Sequence, residues 1–177
     1  NSNPLILCER NKNKIVLNTE KLDKMMDKYR KRRAQLIAAE MVEKLREKGY
    51  ETYYAEDVEE ARKIMLSLIP EGSSVGVGGS ETLNAMNMIE ELRNGPYHFF
   101  DRYQKLPFCE IEEIYREALN ADVFLSSCNA VTRDGRLVNM DSSGNRVAAI
   151  SYGPRKVIMA VGANKVVDNL DEALDRI

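Results

Sequence analysis

The amino-acid sequence predicts an α/β fold of three layers, in which helices cover both faces of a mainly parallel sheet. Segments with the apolar spacing of helices alternate with short runs of apolar and β-branched residues, and the links between them are short. Parallel strands need crossover connections, which are usually helices, so this alternation is typical of a parallel sheet. The length of 177 residues fits one such domain.

The first half of the domain contains three predicted helices and two predicted strands. Gly49 ends the first helix, and Asp57 with Glu60 forms a capping pair at the start of the second, which Pro70 closes. Tyrosine-rich and valine-rich runs predict the strands. The elements are helix 22–45, strand 50–55, helix 57–70, strand Ser74–Val77 and helix 83–92.

The second half alternates in the same way. Asp134-Gly135 is a hairpin signal, Gly153 ends a helix, and Asn169 is an N-cap with Glu172 three residues later. The elements are helix 111–119, strand 122–126, a hairpin over 130–140, helix 145–152, strand 157–161 and a last helix after Asn169.

The N-terminal segment is predicted to be separate from this pattern. Two short apolar runs, at residues 5–7 and 15–17, flank a polar stretch and are expected to pair as a hairpin. Residues 1–24 are therefore predicted to be an N-terminal extension, and residues 25–177 to be the α/β domain.

Charge and hydropathy exclude several classes of partner. The formal net charge is −2, so no global field favours nucleic acid or an anionic membrane. No apolar run approaches the roughly 20 residues of a membrane-spanning helix, and charged residues interrupt the start of the chain where a signal peptide would be apolar. We expect a cytoplasmic protein with no membrane and no nucleic-acid partner, and interpret the basic run at residues 28–33 as a solvated helix face.

Metal and redox chemistry are not expected. Cys8, Cys109 and Cys128 lie far apart, and no pair has the spacing of a metal knuckle or a redox dithiol. The one histidine, His98, stands among aromatic residues and is predicted to be packed. The aromatic segment 97–103, which contains Arg102, is interpreted as core or as a contact between subunits. The expected set of metals and cofactors is therefore none.

The glycine-rich segment after strand Ser74–Val77 is the main candidate for ligand binding. Gly78 and Gly79 allow the backbone to approach a ligand closely, while Ser80 and Thr82 add hydroxyl groups. Amides at the start of the next helix carry partial positive charge, which favours phosphate or carboxylate. Glu81 is a candidate base, or else a solvent-facing side chain that favours the helix dipole. The alternative for the whole segment is a tight turn capped by Ser80.

Two further polar segments follow predicted strands. Asn129, Asn145 and Arg146 are predicted to bind the ligand, and Asp141 to act as a base or to orient it. Lys165, after strand 157–161, is predicted to pair with an anion. The alternatives are helix capping for Asp141 and a surface turn around Lys165. Because parallel sheets bind ligands at the carboxyl ends of their strands, we expect all three segments to meet at one edge.

The same motifs resemble those of the LUD-domain family, which includes bacterial lactate-utilisation proteins. The resemblance runs from about residue 29 to residue 177 and rests on the segments VGVGGSETL, FFDRY, EIEEIYREALNADVFLSSCNAVTRDGRLVNMDSSGNRVAAI and YGPRKVIMAVGANKVV. It implies an open sheet similar to that of the NagB/RpiA/CoA-transferase-like group, in which a glycine-rich loop after a strand binds phosphate. Residues 25–177 would then be a LUD-type domain.

This resemblance implies a place in a pathway more firmly than a reaction. The first hypothesis is a non-redox component of lactate or 2-hydroxy-acid utilisation, which binds a small anionic metabolite and acts with the iron–sulfur subunits of a lactate oxidation system. The alternative is a stand-alone isomerase or acyl-transfer enzyme, with Asp141 or Glu81 as base and Arg146 and Lys165 as charge clamps. The sequence leaves open whether the chain is an enzyme and whether it forms a homo-oligomer.

Overall fold

A computed structural model of the protein describes the backbone of residues 19–177 and the side chains of residues 26–177. Residues 34–177 form one compact unit, which contains every strand described below. The predicted hairpin at residues 5–17 lies outside the described residues, so the boundary of the N-terminal extension stays a prediction. None of the described helices has both the length and the apolar character needed to span a membrane.

Seven strands and seven α-helices are described. The strands are β1 (Ser74–Val77), β2 (His98–Phe99), β3 (Val123–Ser126), β4 (Ala130–Thr132), β5 (Leu137–Val138), β6 (Lys156–Met159) and β7 (Val166–Val167). The helices are α1 (Thr19–Glu47), α2 (Val58–Ser67), α3 (Glu81–Ala85), α4 (Met88–Asn94), α5 (Phe108–Ala118), α6 (Asn145–Ser151) and α7 (Leu170–Arg176), with a 3₁₀ turn at Ala163–Lys165.

The main sheet has the order β2-β1-β3-β6, and all of its neighbouring strands are parallel. Successive residues point to opposite faces. Val75 and Leu125 pack on one face with buried side chains of α2, α3 and α4. Phe124 packs on the other face with Ala118 of α5 and Ala149 of α6. Helices therefore cover both faces, which confirms the predicted three-layer α/β fold.

Gly76 allows α5 to pack closely on the second face. A Cβ atom at this position would lie 2.9 Å from both the Cβ of Ala118 and the ring of Phe124. Real Cβ atoms do not approach other carbon atoms so closely, so a larger residue would push the helix away from the sheet.

A smaller sheet, of order β5-β4-β7, continues from the end of β3. β4 and β5 are antiparallel and form the predicted hairpin, with Gly135 in the left-handed region at φ 84°. The side chains of Met41 on α1, Cys128 and Val131 form a third buried cluster beside it.

Hydrogen bonds at the amino ends of β1 and β3 fix how the two strands align. Asp122 Oδ2 accepts from the Ser74 amide at 3.0 Å and from the Ser74 hydroxyl at 2.7 Å. In return, the Asp122 amide donates to Ser74 Oγ at 2.9 Å. These three bonds help to set the register in which Val75 pairs with Val123.

Several local predictions were wrong. Residues 50–55 form no strand, and their tyrosines are exposed, so the apolar rings are not part of a sheet. The predicted helix 83–92 is divided into α3 and α4 at Asn87, which adopts the left-handed conformation at φ 55°. His98 is exposed rather than packed. The strands β2 and β7, with two residues each, were not predicted because they are too short to show a pattern.

Candidate functional site

Four segments leave the carboxyl ends of the parallel strands and lie at the same edge of the main sheet. They are residues 78–80 after β1, 100–103 after β2, 127–129 after β3 and 160–165 after β6. Direct contacts join them, and the start of α6 lies against the same edge. The topology therefore brings the three predicted segments together, and adds the segment after β2.

Arg146, in the first turn of α6, forms the most extensive hydrogen-bond network at this edge. Its side chain is 11% exposed, and each of the five N–H groups of a guanidinium has an acceptor within the chain. The acceptors are Asp141 Oδ1 (2.8 Å from Nε), Ser127 O (3.0 Å from Nη1), Asn139 Oδ1 (3.2 Å from Nη1), Asn129 Oδ1 (2.7 Å from Nη2) and Met140 O (2.8 Å from Nη2). Direct contact with a ligand would require Arg146 to release one of these acceptors.

Asp141 is equally committed to internal partners. One carboxylate oxygen accepts from Arg146, and the other accepts from the Val147 amide at 2.6 Å. The second bond satisfies an otherwise unpaired N–H group at the start of α6. Asp141 thus balances the buried charge of Arg146 and caps α6, and neither oxygen is without a hydrogen bond.

The two predicted asparagines have different positions. Asn129 Oδ1 accepts from Arg146 and from the Met140 amide at 3.1 Å, so it links the segments after β3 and β5. Asn145, the first residue of α6, accepts from the Ser143 hydroxyl at 2.9 Å. Asn129 therefore belongs to the Arg146 network, whereas Asn145 makes a local turn contact.

Gly78 and Gly79 are adjacent but have different surroundings. Gly78 is buried, its amide donates to Leu125 O at 2.9 Å, and a Cβ atom there would lie 2.8 Å from Arg146 Cδ. Gly79 is exposed, and the atoms nearest to its Cβ position belong to the guanidinium of Arg102, at 3.8–3.9 Å. Gly78 is therefore needed for packing against Arg146, while Gly79 has room for a Cβ atom at ordinary contact distance from a cation.

The rest of the glycine-rich loop starts helix α3. Ser80 is the N-cap, and its hydroxyl oxygen accepts from the Leu83 amide at 3.3 Å. Within the described part of the chain, the backbone amides of Gly79, Glu81 and Thr82 donate to no acceptor. Glu81 has an exposed side chain in the first turn. The loop thus combines an ordinary helix cap with three available backbone donors.

Lys165 connects three of the segments. Its ammonium group donates to Thr82 Oγ1 at 3.1 Å, Ser127 Oγ at 2.8 Å and Cys128 O at 3.0 Å. These partners are neutral oxygens, so all three N–H groups are satisfied but the charge is not balanced by a carboxylate. Burial lowers the pKa of Lys165, and the nearby cations Arg176 and Arg146 lower it further.

Cys128 lies beside the same ammonium group. Burial raises the pKa of its thiol, while the positive charges of Lys165, Arg146 and Arg176 act in the opposite direction. The side chain is 2% exposed and belongs to the third buried cluster. It therefore behaves as a core residue and not as an accessible nucleophile.

Positive charge at this edge exceeds negative charge. Among the side chains of residues 26–177, no carboxylate lies within ion-pair distance of Arg102, Lys165 or Arg176. Arg176 of α7 reaches the segment after β3, where its Nε donates to Asn129 O at 3.0 Å. Of the nearby acids, Asp141 pairs with Arg146 and Asp101 pairs with Arg93, whereas the exposed Glu81 forms no ion pair among the described side chains.

Arg102 also lies at this edge, although the sequence interpretation did not place it among the candidate site residues. It lies between aromatic residues, which suggested packing, and only the parallel pairing of β2 with β1 carries it to the glycine-rich loop. Its guanidinium lies 4.4 Å above the ring centre of Tyr115 and donates to the Tyr115 hydroxyl at 2.7 Å. The FFDRY segment of the family resemblance was the only signal in the sequence that pointed to it.

The described residues offer no obvious metal site. No group of three or more histidine, cysteine, aspartate or glutamate side chains in residues 26–177 is arranged to hold an ion. Backbone amides and cationic side chains dominate the edge of the sheet, and such groups bind anions.

Arg146→Ala is expected to lower the free energy of unfolding by about 3–5 kcal/mol, because it leaves the buried Asp141 carboxylate without its ion-pair partner. The measurement is chemical denaturation monitored by circular dichroism. Arg136→Ala is the matched control, since Arg136 and Asp134 form an ion pair whose side chains are 61% and 52% exposed, and it should cost less than about 1 kcal/mol. Equal losses in the two variants would contradict this role of Arg146.

Gly78→Ala is expected to lower the free energy of unfolding, whereas Gly79→Ala is expected to leave it nearly unchanged. Gly78→Ala should lower the free energy of unfolding by about 1–3 kcal/mol, because its Cβ would overlap with the fixed side chain of Arg146. Gly79→Ala should stay within about 0.5 kcal/mol of the parent protein, since the new Cβ meets only ordinary van der Waals distances. Thermal and chemical unfolding of both variants measure this, and a larger loss for Gly79→Ala would show the geometry to be wrong.

Lys165→Met is expected to change how stability depends on pH. Because folding lowers the pKa of Lys165 from its ordinary value of 10.5, the unfolded chain binds more protons between the two pKa values. The stability of the parent protein relative to Lys165→Met should therefore rise with pH as 10.5 is approached. Denaturation curves of both proteins at several pH values above neutrality test this. A difference that stays constant across that range would contradict a lowered pKa.

The comparisons with known proteins agree with the resemblance found in the sequence. A model of the LUD domain matches residues 38–177, which is most of the chain. Searches of curated proteins and of solved structures found no match. The chain therefore belongs to the LUD-domain family, which is associated with lactate utilisation.

Proposed function

We propose that this domain binds a small carboxylate or phosphate-bearing metabolite at the carboxyl edge of its main sheet. In this proposal it acts as a non-redox component of lactate or 2-hydroxy-acid utilisation, in the cytoplasm and together with iron–sulfur subunits of a lactate oxidation system. The LUD-type domain would comprise residues 25–177. The parallel sheet is consistent with a NagB/RpiA/CoA-transferase-like ancestry.

The observation that carries the proposal is the unbalanced positive charge at this edge. Arg102, Lys165 and Arg176 have no carboxylate partner among the described side chains, although each is held by hydrogen bonds to neutral groups. Arg176 is exposed, but Arg102 and Lys165 are half-buried, and charges that are partly removed from water without a counter-ion raise the energy of the folded chain. A bound anion would supply the missing charge and would stabilise the fold.

The backbone of the glycine-rich loop supports the same conclusion. Among the described residues, the backbone amides of Gly79, Glu81 and Thr82 have no acceptor, and Gly79 itself is exposed. Lys165 holds Thr82 in place and adds its field to the loop. Anions are bound in this way by combined backbone amides and nearby cations.

The alternative function, a stand-alone isomerase or acyl-transfer enzyme, has less support. It requires a base, and both oxygens of Asp141 already accept hydrogen bonds within the chain. Glu81 is the remaining candidate, and its side chain is exposed at the start of α3. Because no described feature favours catalysis over binding, ligand binding is the function we propose.

Anionic metabolites are expected to raise the melting temperature of the protein, and their neutral analogues are not. L-lactate, pyruvate, sugar phosphates and acyl-CoA esters are the ligands to screen by thermal shift, with L-lactamide and methyl pyruvate as uncharged controls of matched shape. The shift should decrease as salt concentration rises, because exposed charges are screened. Equal shifts with lactate and lactamide, or no shift with any anion, would contradict the proposal.

A further inference from the structure

We propose that Arg102 makes the direct contact with the anion and that Arg146 serves to position the surrounding loops. This inference rests on the proposed function and adds to it the residue that recognises the ligand. It concerns a side chain that neither the sequence pattern nor the family match assigns to binding.

Arg146 and Arg102 differ in how many of their N–H groups already donate hydrogen bonds within the chain. A guanidinium has five N–H groups, and Arg146 uses all of them inside the chain. Arg102 uses one, in the bond from Nη2 to the Tyr115 hydroxyl. Among the described residues, its other N–H groups have no acceptor. Arg102 can therefore bind a ligand without losing an existing hydrogen bond.

The Arg102 guanidinium turns its flat side toward Gly79. The Cβ position of Gly79 is 3.8 Å from Nη1, 3.9 Å from Cζ and 3.9 Å from Nη2. Three nearly equal distances mean that Gly79 faces the flat side of the group, because an edge-on approach would leave Cζ farther away than the nitrogens. Tyr115 also stacks on the group, with its ring centre 4.4 Å from Cζ. The N–H groups lie in the plane of the guanidinium and therefore do not point at Gly79.

Contacts with two tyrosine side chains already hold Arg102 in one conformation. The Tyr115 contact fixes the plane of the group, and the ring of Tyr103 lies 5.8 Å from Cζ. A side chain held in its bound conformation loses little entropy when the ligand arrives.

This arrangement favours a ligand with two coplanar or adjacent oxygens. A guanidinium held in one plane presents parallel N–H groups that match a carboxylate or a phosphate, whereas a lysine presents a single point charge. We therefore assign carboxylate or phosphate recognition to Arg102, beside the glycine-rich loop.

The experiment measures binding of inorganic phosphate, L-lactate and pyruvate to the full chain by calorimetry. Arg102→Gln removes the charge and keeps the length of the side chain, and Arg102→Lys keeps the charge but loses the fork. Arg116→Gln is the matched control, because Arg116 lies on α5 with its side chain 61% exposed and pairs with Glu113. The melting temperature of each variant reports whether it is folded.

Arg102→Gln is expected to weaken binding by about tenfold or more, the scale of a charge-assisted contact. Arg116→Gln should change affinity by less than about twofold, since exposed ion pairs contribute little. Arg102→Lys should fall between the two. If Arg102→Gln binds as tightly as the parent protein, or if both glutamine variants lose affinity equally, the inference is wrong and anion binding itself stands.

The Tyr115→Phe variant and the parent protein distinguish failure of the Arg102 contact from failure to fold and from absence of anion binding. Tyr115→Phe keeps the stacked ring and removes only the bond that orients Arg102, so it should weaken binding by about threefold without changing the melting temperature. If Arg102→Gln does not fold, an unchanged affinity in Tyr115→Phe overturns the inference. If the parent protein binds none of the three probes at millimolar concentration, the proposed function fails, and the role of Arg102 fails with it.

Discussion

The buried guanidinium of Arg146 is the constraint on which the edge of the sheet depends. A charge with five N–H groups can remain in a nearly dry position only if every group finds an oxygen. The segments after β3 and β5 supply those oxygens from Ser127, Asn129, Met140 and their neighbours. The path of both segments is therefore fixed by one side chain, and Gly78 must lack a Cβ for that side chain to fit.

The cations around this network are of three kinds. Arg146 has a carboxylate partner and no available donors, which makes it part of the framework. Lys165 also has no available donors, but its charge is not balanced, so it contributes an electrostatic field. Among the described residues, Arg102 has both available donors and an unbalanced charge. An arginine at the expected end of the sheet can thus have every donor engaged within the chain, as Arg146 does.

The sequence predicted the fold better than it predicted the site. Long amphipathic segments and the capping residues Asp57 and Asn169 led to correct helices, because these signals are local. The three polar segments were correctly expected at one edge, since topology alone requires it. The roles of Arg146 and Asp141 depend on contacts between residues that are five or more positions apart, and no local pattern encodes them. Arg102 was interpreted as packing because a two-residue strand, β2, decides where it lies.

The hydrogen bonds between Ser74 and Asp122 lie at the opposite edge of the sheet, yet they affect the geometry of the candidate site. Parallel strands with apolar side chains on both faces can slide by two residues and still bury the same faces, which moves one strand by about 7 Å relative to the other. Such a slip would carry Gly79 out of line with Asn129, although each strand would remain intact. Ser74 and Asp122, at the amino ends of the two strands, thus help to keep the carboxyl ends of β1 and β3 aligned with each other.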